Sequence, residues 1–94
     1  MAKSVAVASG TADVQGVATP CVLLGICVRE NAGTPAAAGV ILRDGTSATD
    51  PIRVPIKLAA NGCIIGGLPA VTFATGIFVD RESGTTELVL YLME

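Results

Sequence analysis

The side chains in this sequence that could take part in catalysis are carboxylates and thiols, because the chain has no histidine. Histidine is the commonest general base near neutral pH, so its absence excludes serine–histidine and cysteine–histidine nucleophile systems within the chain. The carboxylates fall into two groups, Asp44 with Asp50 and Asp80 with Glu82 and Glu87, and each group flanks a predicted turn. A glycosidase also needs a cleft with aromatic side chains, and this chain has no Trp, one Tyr and two Phe. We therefore predict no catalytic residues and no enzymatic activity.

The cysteines also give no sign of a site. Cys21, Cys27 and Cys63 are odd in number and lack CxxC spacing, whereas a structural zinc ion takes four Cys or His ligands. Cys21 and Cys27 are six residues apart, which places them on one face if their segment is a regular strand. We expect three free, buried thiols; an inter-subunit disulfide remains an alternative without direct support.

Two further patterns resemble ligand-binding loops only weakly. The segment Asp44–Asp50 has a few oxygen-bearing side chains but lacks the dense Asp/Asn run of a calcium loop, so turn chemistry explains it better. The pair Gly66-Gly67 lacks the lysine and the following helix of a phosphate-binding loop. The sequence therefore predicts no metal site and no cofactor.

The charge pattern argues against nucleic acid and membrane partners. The formal net charge is −2, and Arg29, Arg43, Arg53 and Arg81 are spread singly along the chain, whereas binding to a phosphate backbone needs clustered positive charge. The longest apolar stretch, Cys21–Val28, has eight residues, and a membrane-spanning helix needs about 20.

The predicted secondary-structure elements, which would have to position any site, are mostly β-strands. The clearest is Pro51–Leu58, which alternates apolar and polar residues with the period of a half-buried strand. Its two prolines suggest an edge strand or a bulge. Further strands are expected at Val5–Ala8 (a strand or part of an ordered arm), Val14–Ala18, Cys21–Glu30, Ala37–Arg43, Phe73–Asp80 and Glu87–Met93.

Turn signals separate these segments. They include Asn61-Gly62, Gly66-Gly67 with Pro69, and Ser83-Gly84. The loop Arg81–Thr86 is predicted to join the last two strands as a hairpin. The pattern indicates an all-β fold: a small antiparallel β-sandwich or jelly-roll-like barrel of seven to eight short strands. We expect a single β domain over residues 1–94, in which residues 1–12 are a candidate extended N-terminal arm.

The composition suggests that other subunits cover part of the surface. The chain is 51% apolar and 15% charged, against about 25% charged in an average soluble domain. The alternative is that many alanines and glycines inflate the apolar count without forming a patch.

The strands Cys21–Val28 and Leu88–Met93 are apolar on both faces. If Leu88, Leu90 and Leu92 fill the core, the opposite faces are left for a neighbouring subunit or a covering loop. The predicted interface residues are Leu23, Cys27, Val89, Tyr91 and Met93.

The stretch from Cys27 onward, CVRENAGTPAAAGVILRDGTSATDPI followed by IKLAANGCIIGGLPAVTFATGIFVD and SGTTELVLYL, resembles small structural proteins of tailed bacteriophages. The resemblance covers about residues 22–92, and its matched pieces are the turn at Leu42–Thr46 and the segment Phe73–Val79. It implies a virion component, such as a capsid decoration (cement) protein or a head or tail accessory subunit.

Three functions follow as hypotheses. The first is a decoration protein, made in the host cytoplasm, that binds the major capsid protein as a homotrimer or another homo-oligomer. The second is a neck or tail accessory protein of the virion. The third is a β-module that binds a carbohydrate or a host receptor, which the aromatic content of 3% disfavours.

Overall fold

The computed structural model describes residues 2–93, which contain eight β-strands. Met1 and Glu94, the ends of the predicted domain, lie outside the described residues. The strands are β1 (Ala2–Gly10), β2 (Val14–Val17), β3 (Cys21–Glu30), β4 (Ala38–Asp44), β5 (Ile52–Leu58), β6 (Cys63–Phe73), β7 (Ile77–Ser83) and β8 (Thr86–Met93).

The strands form two antiparallel four-stranded sheets that enclose one core. The first sheet has the order β1-β8-β3-β6, and the second has the order β2-β7-β4-β5. Only β4 and β5 are consecutive strands of one sheet, so every other connection crosses between the sheets. The predicted all-β fold of seven to eight strands is confirmed. Of the two predicted architectures, a β-sandwich and a jelly-roll-like barrel, the structure is a β-sandwich.

The core is built from the inward-facing residues of both sheets. The largest fully buried side chains come from five strands and are Phe73, Leu23, Leu42, Ile77, Leu88, Leu90 and Leu92. These residues alternate with outward-facing ones along each strand, as expected when two sheets pack face to face.

Strand β5 lies at the edge of the second sheet, as its prolines predict. Ile56 and Leu58 are buried, and Pro55 and Lys57 are exposed, so the predicted alternation holds there. Ile52 departs from it and is 49% exposed, because the pairing with β4 shifts beside Arg43.

The longest strand, β6, was not predicted. Its residues include Gly66, Gly67 and Pro69, which the sequence pattern predicts to form a turn. Gly67 and its neighbours pair with β3, while the region around Pro69 and Ala70 forms an irregularity where the register shifts. Pairing with a long neighbouring strand outweighs the local preference of glycine and proline for turns.

The predicted C-terminal hairpin is also wrong. The segment Phe73–Asp80 is not one strand, since β6 ends at Phe73 and β7 begins at Ile77. The connection at Gly84 is short, but β7 belongs to the second sheet and β8 to the first. The turn residues of the sequence indicate where the chain reverses, and they do not specify which sheet receives the next strand.

Residues 2–10 form strand β1. Strand β1 pairs with β8 from Ala2 to Gly10, and Val7 is buried in the core. The guanidinium of Arg81 holds the following connection by donating to the carbonyl oxygens of Ala8 (2.6 Å) and Ala12 (3.0 Å).

Candidate functional site

The outer face of the first sheet carries an apolar row that crosses all four strands. Ala6, Val89, Cys27 and Ile65 stand side by side in the pairing of β1, β8, β3 and β6. The Ile65 side chain is 72% exposed. A large aliphatic side chain in that position leaves apolar area in contact with water unless another molecule covers it.

A second row lies beside it and contains a groove. Here Ser4, Tyr91, Gly25 and Gly67 are neighbours across the sheet. Because Gly25 and Gly67 have no side chains, the backbone forms the floor of a shallow groove of about 500 Å³, with Tyr91 and Ile65 among its lining residues. We call this the glycine groove.

The third row extends the same surface to the end of the sheet. Met93 pairs with Val22, and its side chain is 50% exposed. Tyr91 in the neighbouring row is 40% exposed. We refer to the outer surface formed by the three rows as the apolar face; its members are Ala6, Val22, Cys27, Ile65, Val89, Tyr91 and Met93, together with the glycine groove.

One ion pair bounds the apolar face. Arg29 Nε donates to Glu87 Oε1 at 2.7 Å, and the two residues are neighbours in the pairing of β3 and β8. Both side chains are accessible to water, so the pair contributes little to folding stability. The apolar face therefore has a charged border at this end.

Four of the five predicted interface residues lie on the apolar face, and Leu23 does not. Leu23 is fully buried in the core, opposite the buried Leu92. The reason is a β-bulge: Leu24 is an extra residue between Leu23 and Gly25 relative to β8, which reverses the faces of the residues that follow.

Because of the same bulge, Cys21 and Cys27 lie on opposite faces of β3 and not on one face, as a regular strand would place them. Cys21 packs against the core from one side of the bulge, whereas Cys27 lies on the apolar face beyond it. Cys63 is exposed, so it is not a buried thiol as predicted. All three cysteines are free, and burial raises the pKa of the Cys21 thiol, with a smaller contribution from Asp44.

Sequence reasoning missed Ile65 and the glycine groove because it assigned no strand to that segment. A signal was present: residues 58–79 form a run of 22 residues without a charge. The run has no regular alternation, and Ile64 and Ile65 are both apolar, so the pairing with β3 decides that Ile65 faces outward.

The outer face of the second sheet has a different character. Arg43 Nε donates to Asp80 Oδ2 at 2.9 Å, and both side chains are mostly buried. Ile41, their neighbour on this face, is buried as well. Lys57 and Arg53 are exposed on the edge strand. Charged side chains cover much of this surface, and Ile52 is its one exposed large apolar side chain within residues 2–93. The larger group of exposed apolar side chains lies on the first sheet.

Asp44 and Asp50, which the sequence offers as candidates for a catalytic or metal site, accept hydrogen bonds from backbone amides. Asp50 accepts from Thr46 N at 2.7 Å and Ser47 N at 3.0 Å, and these hydrogen bonds hold the pKa of Asp50 below its usual value. Asp44 accepts from Thr75 N at 2.9 Å. That bond and a second one, from Ala74 N, lower its pKa in the same way.

Residues 2–93 contain no group of three or more Cys, Asp or Glu side chains placed to hold a metal ion. Within the same residues no helix has the length and apolarity to cross a membrane. Comparisons with known protein families, with curated proteins and with solved structures find no match to this chain.

Proposed function

We propose that this protein is a non-enzymatic structural subunit that packs against other protein subunits through its apolar face. One observation carries this proposal: Ile65, Tyr91 and Met93 are exposed together on the outer face of the first sheet, whereas among the described residues the outer face of the second sheet exposes one large apolar side chain, Ile52. An exposed apolar patch with a charged border is typical of a protein–protein interface.

The resemblance of residues 22–92 to small structural proteins of tailed bacteriophages supports a virion as the assembly. Within a virion, the role that fits best is that of a capsid decoration protein, which binds the assembled head as a homo-oligomer and stabilises it. A subunit repeated on a lattice needs surfaces for neighbours and no active site, in agreement with carboxylates that are occupied by backbone amides.

The test compares a variant of β8 on the apolar face with a control variant of β5 in the second sheet. Tyr91→Ala removes an exposed ring from the apolar face, so the fold should persist while binding to capsid particles weakens by about 1–3 kcal/mol per interface. The matched control is Lys57→Ala on the second sheet, which should leave both properties unchanged. Binding is measured by co-sedimentation with particles that lack the protein, and folding by thermal melting.

Two outcomes would contradict the proposal. If Tyr91→Ala bound particles as tightly as the wild type, the apolar face would not be the contact surface. If the wild type bound tail or neck structures and not heads in electron micrographs, the protein would be a tail or neck accessory subunit.

A further inference from the structure

Strand β6 forms an unprotected edge of the first sheet. It is the last strand in the order β1-β8-β3-β6, and its residues from Cys63 to Gly67 are all exposed. Native proteins protect such edges with charges, prolines, bulges or very short strands, because a free edge can pair with another chain. The half of β6 beyond Gly67 has such protection in Pro69 and the irregularity beside it. The half from Cys63 to Gly67 has none.

The other three edges of the sandwich are protected. Strand β5 contains Pro55 and carries Arg53 and Lys57. Strand β2 has only four residues. Strand β1 carries Lys3, and its pairing becomes irregular after Val7. The open half of β6 is therefore an exception within this molecule.

The pairing with β3 determines which backbone groups of β6 face outward. Glu30 N donates to Gly62 O at 2.9 Å, so Gly62 directs its carbonyl oxygen toward β3. Successive residues of a strand direct their N–H and C=O groups to alternate sides. Cys63, Ile65 and Gly67 therefore direct theirs toward the free edge.

The absence of charged residues in β6 indicates which strand can pair with this edge. In a two-fold antiparallel pair of identical strands a charge close to the axis lies near its own symmetry copy, and like charges across strands destabilise a sheet. No residue from 58 to 79 is charged. The strand is thus free of the repulsion that would prevent it from pairing with itself, and it lacks the charges that select a different partner.

We infer that β6 pairs antiparallel with β6 of a second copy of this chain, around a two-fold axis at Gly66, to form a continuous eight-stranded sheet. In this register Ile65 lies opposite Gly67 of the second copy, and the outward backbone groups of both residues form hydrogen bonds. The exposed Ile65 side chain then enters the glycine groove of its neighbour. The same contact occurs twice by symmetry, so the interface is closed.

The glycines of this segment fit that role. A Cβ on Gly67 would meet only a carbonyl oxygen of Leu24 at 3.9 Å, and among the described residues no atom lies within 4 Å of a Cβ on Gly66. Packing within one chain therefore does not require glycine at either position. A second copy requires glycine at position 67, because a side chain there would fill the space that Ile65 of the neighbour enters.

The inference deepens the proposed function by giving the homo-oligomer a two-fold interface instead of a three-fold one. It joins two apolar faces into one surface for contact with a larger assembly. Because the pairing is a property of the isolated chain, it can be tested without particles.

The experiment compares two lysine variants in the same row at opposite edges of the sheet. Wild-type protein at micromolar concentration should sediment as a dimer. Ile65→Lys places a charge at the β6 edge and should raise the dimer dissociation constant roughly tenfold or more, because pairing would desolvate that charge. Ala6→Lys, on β1, should leave the dimer intact. Circular dichroism checks that both variants remain folded.

A cross-link tests the register. Gly66→Cys combined with Cys63→Ser places one thiol at the two-fold axis, where paired Cα atoms are within the 4.4–6.8 Å that a disulfide spans. Mild oxidation should give a covalent dimer. A monomeric wild type, a dimer that Ile65→Lys does not weaken, equal loss with Ala6→Lys, or no cross-link in a dimeric sample would each overturn the inference. A wild type that dimerises as described but binds no virion structure would support it and refute the proposed virion role.

Discussion

At the scale of single residues, the polar side chains of this protein act as fixed connections between loops. Glu30 is buried at the end of β3 and accepts hydrogen bonds from Asn61 N and Ala32 N, both at 2.7 Å. It thereby ties the β5–β6 turn to the β3–β4 loop. These two bonds favour the ionised carboxylate, so the pKa of Glu30 lies below its usual value.

The lowered pKa of Glu30 predicts a loss of stability in acid. The unfolded chain protonates this carboxyl near its usual value of about 4.3, while the folded chain protonates it only at lower pH. The stabilisation is therefore complete above that value and is lost as the pH falls through the folded pKa. Urea unfolding should show that the free energy of unfolding falls between pH 7 and pH 3. This fall should be shallower in Glu30→Gln than in the wild type. The exposed Glu82→Gln serves as the control, and an equal effect of both variants would contradict the prediction.

The two faces of β8 predict different costs for neighbouring substitutions. Leu90 is fully buried, whereas Val89 lies on the apolar face and is half-buried. Leu90→Ala should lower the free energy of unfolding by about 2–5 kcal/mol, because it removes apolar contacts and leaves a cavity. Val89→Ala is the matched control and should lower the free energy of unfolding by clearly less. Denaturant unfolding of both variants measures the difference, and equal losses would show that the faces are assigned wrongly.

The three free cysteines should react at different rates. In denaturant, a thiol-specific reagent should find three thiols per chain. In the folded protein the exposed Cys63 should react first and Cys21 last, because burial raises the pKa of Cys21 and the thiolate is the reactive form. Fewer than three thiols in denaturant would indicate a disulfide, and a melting temperature lowered by a chelator would indicate a metal.

At the scale of elements, one buried arginine joins the ends of three strands. Arg81 of β7 is buried, and besides its bonds to the β1–β2 connection it donates to Thr86 Oγ1 at 3.2 Å and Thr86 O at 3.1 Å. The backbone N–H of Arg81 donates to Asp13 Oδ1 at 2.8 Å. This network keeps β1, β7 and β8 in place where the chain crosses between the sheets.

Arg81→Met should therefore loosen the β1–β2 connection. The methionine keeps an apolar stem but leaves carbonyl oxygens of Ala8 and Ala12 without their donor, at a cost of about 1–3 kcal/mol. Hydrogen exchange of the amides around residues 8–13 should accelerate more than that of the core strands. Arg53→Met on the exposed edge of β5 is the control. Unchanged exchange in the Arg81 variant would mean that the network does not hold this connection.

At the scale of the whole molecule, the two sheets divide the roles between them. The second sheet carries the Arg43–Asp80 pair on its outer face and exposes Ile52 there, while the first sheet leaves the apolar face and the β6 edge open. The chain has a total accessible surface of 4799 Å². A domain this small buries only about 60–65% of its unfolded surface by itself, so the proposed association would add substantially to its stability.

Association should make the melting temperature depend on protein concentration. A dimer that binds only folded chains stabilises them by mass action. The melting temperature of the wild type should therefore rise between low and high micromolar concentration, whereas that of Ile65→Lys should stay constant. A concentration-independent wild type would contradict a dimer in this range.

The sequence by itself determined the fold class, most strand positions and the two faces of β8. Each follows from local physics: alternation places Leu88, Leu90 and Leu92 on one side, and glycine, asparagine and proline indicate where the chain turns. The carboxylates of Asp44 and Asp50 likewise belong to turns, as their spacing predicts.

Only the tertiary structure decided how these pieces combine. The bulge at Leu24 is defined by the pairing of β3 with β8 and β6, and it places Leu23 in the core against the regular alternation. Strand β6 exists because β3 offers it a partner, although Gly66, Gly67 and Pro69 favour a turn locally. The choice of sheet for β7 and β8 depends on non-local pairing, and for this reason the free β6 edge and the glycine groove could not be identified from the pattern of residues.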